Sequence, residues 1–261
     1  MIRMLVIARA VWVETIRRKD LYVLFTMLLA FLLALMTLNI FGFRSLVGYI
    51  KEIGLLLVWV FAWILTIGLS VRQLPQEEKT GTIFPLLAKP VRRSELIIGK
   101  WIGAWGIAGA ATIIFYILLA GIVLARGGNF NLALAAETWT LHFCFMGVLA
   151  AMSLLFSTRM NSDAAATLTG VVSAAAFMLL PQVPRLAGDL SGWRKESLYI
   201  IYYVLPHLEL FDLRQRFVHD WEPMRWEPFI MIVCYGLLMS AVFLMLGWLA
   251  YRKKWFNRDA I

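Results

Sequence analysis

The sequence predicts an all-α polytopic membrane protein. A single domain over residues 1–261 is expected to hold six transmembrane helices, with an N-terminal interfacial helix over 1–20. A structured cytoplasmic elbow over 72–100 and an external re-entrant or interfacial helical segment within 184–228, before the last span, complete the expected architecture. Three observations carry this. Of 261 residues, 61% are hydrophobic and 16% charged, against about 45–50% and 25% in soluble domains. The mean hydropathy of +0.77, with only 18 Gly and 8 Pro, excludes a disordered or low-complexity chain. Finally, six apolar runs reach the roughly 20 residues needed to cross a bilayer: 21–41, 53–71, 101–125, 138–157, 164–183 and 229–251.

Before the first run, Met4, Leu5, Ala8, Val11, Trp12 and Ile16 share one side of a helix. Arg3, Arg9, Glu14, Arg17 and Arg18 share the other, a pattern suited to the cytoplasmic interface. Because Arg3 and Arg9 interrupt these residues, they do not form the apolar core of a cleaved signal peptide, and the N-terminus is expected to be retained. The third run is rich in small residues (Gly99, Gly103, Gly106, Gly109, Ala110, Ala111), as is the fifth (Ala164–Ala166, Gly170, Ala174–Ala176). This spacing lets helix backbones approach closely. Cys144 and Cys234 fall inside the fourth and sixth runs and are expected to be small core residues. His142, inside the fourth, is expected to be structural and bonded to a neighbouring helix. Between the fifth and sixth runs, Ser197–Phe211 is too apolar for a solvated loop and is broken at Pro206. It is therefore expected to be re-entrant or interfacial, within a segment whose aromatics suit a membrane boundary.

Orientation follows from Lys and Arg in the short loops. With the N-terminus inside, cytoplasmic segments hold sixteen of them and the two short external loops three. Both termini are thus expected in the cytoplasm, in the bacterial-type inner membrane, where anionic lipid meets the basic side. The net charge of +9 is explained by this topology, and nucleic acid is not an expected partner. No N-x-[ST] glycosylation acceptor occurs.

The stretch 72–100 differs from the other short loops in its punctuation. Pro75 suits a first helical position, Gln76, Glu77 and Glu78 suit a first turn, and Gly81 suits the residue just past a helix end. Thr82 can cap a second short helix carrying Ile83, Phe84, Leu86 and Leu87, with Pro85 tolerated in its first turn and Pro90 ending it. Ser94 can cap a third. Such an elbow presents apolar side chains that an isolated subunit has little reason to expose.

The run Glu77-x-x-x-Gly81-Thr82, then Leu86-Leu87-x-x-Pro90-Val91-x-Arg93 and Gly99-Lys100, resembles the cytoplasmic signature of type-2 ABC transporter permeases, the membrane subunits of bacterial ABC exporters. Relatives often carry a small residue at the position of Arg92 and an acid at that of Lys79. The resemblance implies a permease subunit working with a second permease, as a homodimer or with a similar paralogue. It also implies two copies of an ABC ATP-binding subunit, which would hold the ATP and Mg; this chain itself is expected to need no cofactor or metal. The elbow is then a coupling helix, with Glu77, Glu78, Gly81, Thr82, Leu86, Leu87, Pro90 and Arg93 as its ATPase-coupling residues. Glu77 or Glu78 is expected to meet a basic partner residue, and Gly99 to let the elbow pack under the third span. By the same family pattern the first, second and fifth spans line the substrate pathway, for which Asn39, Trp59, Trp63, Thr66, Thr169, Ser173 and Phe177 are the candidates.

Other classes fit less well. No G-x-x-x-x-G-K-[ST] exists, so an ATPase within the chain is excluded and no catalytic residue is expected. His142 lacks the partners of a membrane protease, and the six runs contain none of the carboxylates that an ion-coupled carrier uses. An externally powered transporter remains, with a lean toward amphipathic or uncharged cargo. The alternative is an ATP-driven complex that moves a periplasmic partner or extracts a lipid without a through-pore.

Overall fold

A computed structural model describes residues 2–17, 19–37, 46–79, 92–188 and 191–252. All regular structure among them is helical, as a chain must be where lipid offers no hydrogen bonds to its backbone. The helices are α1 (Ile2–Ile16), α2 (Lys19–Thr37), α3 (Leu46–Val71), α4 (Pro75–Lys79), α5 (Arg93–Ala125), α6 (Leu132–Ser157) and α7 (Ser162–Leu179). They continue as α8 (Val183–Gly188), α9 (Trp193–Val204), α10 (Arg214–Val218) and α11 (Trp226–Arg252). Five stretches are long and apolar enough to cross a membrane: 47–79, 93–125, 132–157, 162–188 and 226–252. The expected first span, 21–41, overlaps α2, but the apolar helix there among the described residues, Tyr22–Ala34, is shorter than a span requires; the described residues thus hold five of the six expected spans, and residues 38–45 lie outside them.

Local chemistry sets the helix starts. Asn131 accepts from the amides of Ala133 and Leu134, and Asn161 from that of Ala164, each satisfying donors the first turn leaves open. Helix α4 begins at Pro75, as its fixed φ favours. Helix α5 begins at Arg93, so the expected cap at Ser94 is displaced by two residues. The backbone N–H of Arg92 donates to Glu95 Oε2 at 2.9 Å, half of a capping box, and Ser94 sits inside the first turn.

Helix α6 is the centre of the bundle, with 78% of its most apolar stretch buried, whereas α11 packs along it at the periphery with 11% buried. The neighbours of α6 are α3, α5, α7 and α11. Its glycine at 147 lies against Trp105, whose indole donates to Phe143 O at 2.8 Å, while Trp101 donates to Gly147 O at 2.9 Å. Cys144 is buried in this core, but Cys234 lies on an exposed face of α11, contrary to the expected core position. A span can turn a thiol toward lipid at little cost.

The small-residue stripe of α5 receives α1. A Cβ at Gly99 would lie 2.9 Å from Ile7 Cβ, one at Gly103 2.8 Å from Val11 Cβ, and one at Gly106 3.3 Å from Trp12. Gly99 thus makes room for α1; residues 80–91 of the elbow expected to pack on it lie outside the described residues. The side of α1 buried against protein is Ile7, Ala8, Val11 and Thr15, while Leu5, Trp12 and Ile16 of the expected apolar stripe are exposed, as the membrane-facing side of an interfacial helix is. A helix opposite a row of glycines seats whichever side approaches the backbone, and β-branched Ile7 and Val11 fill that row better than Leu5. Gly103→Leu is therefore expected to overpack this seat at a cost of about 1–3 kcal/mol, and to raise maleimide labelling of a cysteine placed at Ile7. Gly121→Leu, with nothing within 4 Å of its Cβ, should leave both the melting temperature and the labelling unchanged.

Candidate functional site

Two polar centres lie at different levels of the bundle. At the end formed by α4, the start of α5 and the end of α11, Lys100 is 1% exposed. Its Nζ donates to Gln73 O at 2.8 Å and pairs with Glu77 Oε1 at 2.7 Å. A lysine so buried must find an acid and a carbonyl, and the α3–α4 turn supplies both. Arg93 donates through Nη1 to the carbonyls of Tyr251 (2.8 Å) and Arg252 (3.1 Å), satisfying the last carbonyls of α11 and favouring its negative end. Around these pairs Ile7, Leu74, Leu96, Ile97, Leu154 and Tyr251 form one buried apolar cluster. Five elements are thereby tied where the elbow joins the bundle. Of the expected coupling residues, Glu77 pairs with Lys100 of this chain, Glu78 follows it on α4, and Arg93 secures α11. Gly81, Thr82, Leu86, Leu87 and Pro90 lie outside the described residues.

The second centre lies between α3, α6 and α7. Trp59 is 2% exposed and stacks on His142, with ring centroids 4.3 Å apart and an interplanar angle of 3°. Phe177 approaches both Trp59 and Trp63, at 5.9 and 5.6 Å. The Trp63 indole donates to Ser173 Oγ at 3.0 Å, and Ser173 donates to Thr169 O at 2.6 Å. Thr66 and Thr169 donate to the carbonyls of Ala62 and Ala165, each at 2.7 Å, the usual way a hydroxyl is satisfied in a membrane helix. Of the expected pathway residues, Trp59, Trp63, Ser173 and Phe177 are thus brought into one cluster, and Thr66 and Thr169 turn their hydroxyls to their own helices. Asn39 lies outside the described residues. His142 is buried and stacked, and neither ring nitrogen has a hydrogen-bond partner, so the expected bond to a neighbouring helix is absent among the described residues.

The segment after α9 closes over this cluster. Leu208, Phe211 and Phe217 are fully buried, and Phe211 packs against Gly236, ten residues along α11 and so roughly 15 Å from its start. Arg214 holds Asp212 bidentately, with Nε at 2.9 Å from Oδ1 and Nη2 at 2.7 Å from Oδ2. Its guanidinium lies 5.4 Å above Trp59 and 5.9 Å above Phe177, a cation–π arrangement. Nearer the end of the bundle, the amine of Lys51, a residue 2% exposed, donates to both carboxylate oxygens of Asp220 at 2.9 and 2.8 Å. Asp220 adopts φ +48°, uncommon for a residue with a side chain. Sequence reasoning missed Lys51, Lys100, Asp212 and Arg214 as structural partners. The readable signal was a lysine within the first turns of a long apolar helix, with an acid in a segment its neighbours place nearby.

These features define a multi-pass helical membrane protein whose polar groups tie helices together; the described residues hold no cluster of three or more His, Cys, Asp or Glu able to bind a metal. Residues 13–192 match the family model described as ABC-2 family transporter protein, and the chain belongs to this family of ABC transporter permeases. No curated protein matches the chain. Members of the family are membrane components that generally lack ATPase activity, which sits in a separate ATP-binding subunit.

Two outcomes test these centres. Lys100→Met should destabilise the protein by about 2 kcal/mol, below the 3–5 kcal/mol of a fully buried pair because Glu77 keeps partial exposure. Adding Glu77→Gln should recover part of the loss in a double-mutant thermal-unfolding cycle; strict additivity would contradict direct coupling. His142→Phe should hold or raise the melting temperature, since it removes two unpartnered nitrogens whose burial costs about 1–3 kcal/mol. A fall of several degrees would show that the imidazole has a partner.

Proposed function

We propose that the chain is the permease subunit of an ABC exporter in a bacterial-type inner membrane. It has six spans, α2 being the first, with both termini and the elbow cytoplasmic and 184–228 external. It works as a dimer, with itself or a similar paralogue, and two ATP-binding subunits bind the ATP and Mg that drive it. The observation that carries this reading is the family match, which spans the elbow, taken with the buried Lys100–Glu77 pair at the elbow's root.

ATP binding can drive transport only if some rigid piece contacts the ATPase differently in two arrangements of the spans. The described residues that flank the elbow are tied to the bundle, Glu77 to Lys100 and Arg93 to α11, so a push delivered there reaches α3, α5 and α11 together. Leu86 and Leu87 are assigned to fill a groove on the ATPase, and Gly81 to reverse the backbone. A second reading, ATP-driven movement of a periplasmic partner or lipid extraction without a through-pore, is favoured by one observation. The pathway candidates Trp59, Trp63, Ser173 and Phe177 pack against one another, with Arg214 over two of them.

Leu86→Asp places a charge at the docking surface. The variant should insert and dimerise normally, yet lose co-purification with the ATP-binding subunit or lose coupled ATP turnover. Full association together with full transport would overturn the coupling assignment.

A further inference from the structure

A groove runs between the first turns of α5 and the last turns of α11, with a volume of about 300 Å³. Its walls are Ile97, Ile98, Ala241, Leu244 and Met245, and its outer end is marked by Ser94 and Trp248. The helices are antiparallel here, so from Trp248 to Ala241 the groove extends roughly 10 Å along the helix axis, a third of the hydrocarbon core. It opens on α11, the least buried of the five candidate spans, and thus toward lipid.

The charge around its outer end is asymmetric. Exposed Arg252 holds its guanidinium 5.4 Å above the Trp248 ring. Exposed Arg92 caps α5 two residues before Ser94. Glu95 is engaged by the Arg92 backbone N–H and Arg93 by the α11 carbonyls. An apolar trough about two turns deep, with an indole at its rim, the Arg252 guanidinium over that indole and exposed Arg92 at the same end of the bundle, matches an amphiphile with an anionic head.

We propose that this groove is a binding site for an anionic phospholipid. One acyl chain lies along Ile97, Ile98, Leu244 and Met245, and the phosphate meets Arg92 and Arg252. That the lipid comes from the cytoplasmic leaflet rests on the topology proposed above; the site itself does not. Bound there, the lipid bridges α5 to α11 beside the elbow's root.

The test uses the full chain in nanodiscs of equimolar phosphatidylglycerol and phosphatidylcholine with matched acyl chains, counting retained lipids by native mass spectrometry. Wild type should retain phosphatidylglycerol in roughly 25-fold excess, each arginine accounting for roughly five-fold. Arg92→Gln with Arg252→Gln should bring the ratio near parity, and Ala241→Phe should lower total retention. Arg194→Gln with Lys195→Gln, at the other end of the bundle, should change nothing. Equal retention of both lipids by wild type, or an unchanged excess in the Arg92/Arg252 variant, overturns the site. So does efficient crosslinking of Met245→Cys to a second copy, which would assign the groove to a protein contact. Both leaflets carry the same lipid in the disc, so this readout is independent of orientation. Orientation is read separately, by an impermeant thiol reagent at Thr82→Cys and Ser197→Cys in cells: labelling of the first from outside would overturn the topology and leave the lipid site standing.

Discussion

Helices in a bilayer gain little from burying apolar side chains against each other, because the lipid is as apolar as they are. Close backbone approach therefore governs which helices associate, and in this chain α5 is where that constraint is met. Three of its glycines seat α1 and the fourth, Gly109, faces the ring of Phe143 on α6. The same device recurs where Gly147 receives Trp105 and Gly236 receives Phe211. Each is a small residue on one helix against a large one on another, and together they place α6 inside the bundle and α11 beside it.

Given that frame, the charged groups that sit inside or beside it are the costly elements, and each is resolved by a partner from another segment or a near neighbour. Lys100 draws the α3–α4 turn onto α5. Lys51 draws the loop after α10 onto α3. Arg214 and Asp212 neutralise each other two residues apart, letting a short irregular stretch carry a guanidinium down to Trp59. Irregular backbone is tolerated at such depth only when protein surrounds it, and the fully buried Leu208, Phe211 and Phe217 supply that cover.

Much of this was legible in the sequence for a physical reason: hydropathy over twenty residues is a sum, insensitive to detail. The glycine stripe of 99–109 was readable as a packing surface because its spacing is periodic. Its occupant was not, since nothing in Gly99 or Gly103 says that Ile7 and Val11 will fill them, when the elbow was an equally available neighbour. Helix α1 was read from its amphipathic pattern, which ranks side chains by polarity; the contact was decided by shape. The pathway candidates show the same division. Trp59, Trp63, Ser173 and Phe177 do converge, because i, i+4 spacing on α3 and α7 puts them on facing sides, but the partners that decide their chemistry, His142 and Arg214, come from elements whose approach no local pattern encodes.

The two polar centres are linked by α3. Its first turns are held by Lys51 to Asp220, its middle carries Trp59 under Arg214, and its last turn leads through Gln73 and Glu77 to Lys100. A helix of 26 residues is stiff along its axis, so displacement of its last turn is transmitted to Trp59 rather than absorbed between. Trp59 cannot move far without separating from His142 or from the guanidinium above it, and neither contact is a covalent or multiply bonded tie. The Lys51–Asp220 pair, made at two oxygens and partly shielded, resists more strongly. Of the ties along α3 the aromatic stack is thus the weaker and the Lys51–Asp220 pair the stronger, so a displacement of its last turn disturbs the middle of the bundle before the end that Lys51 holds.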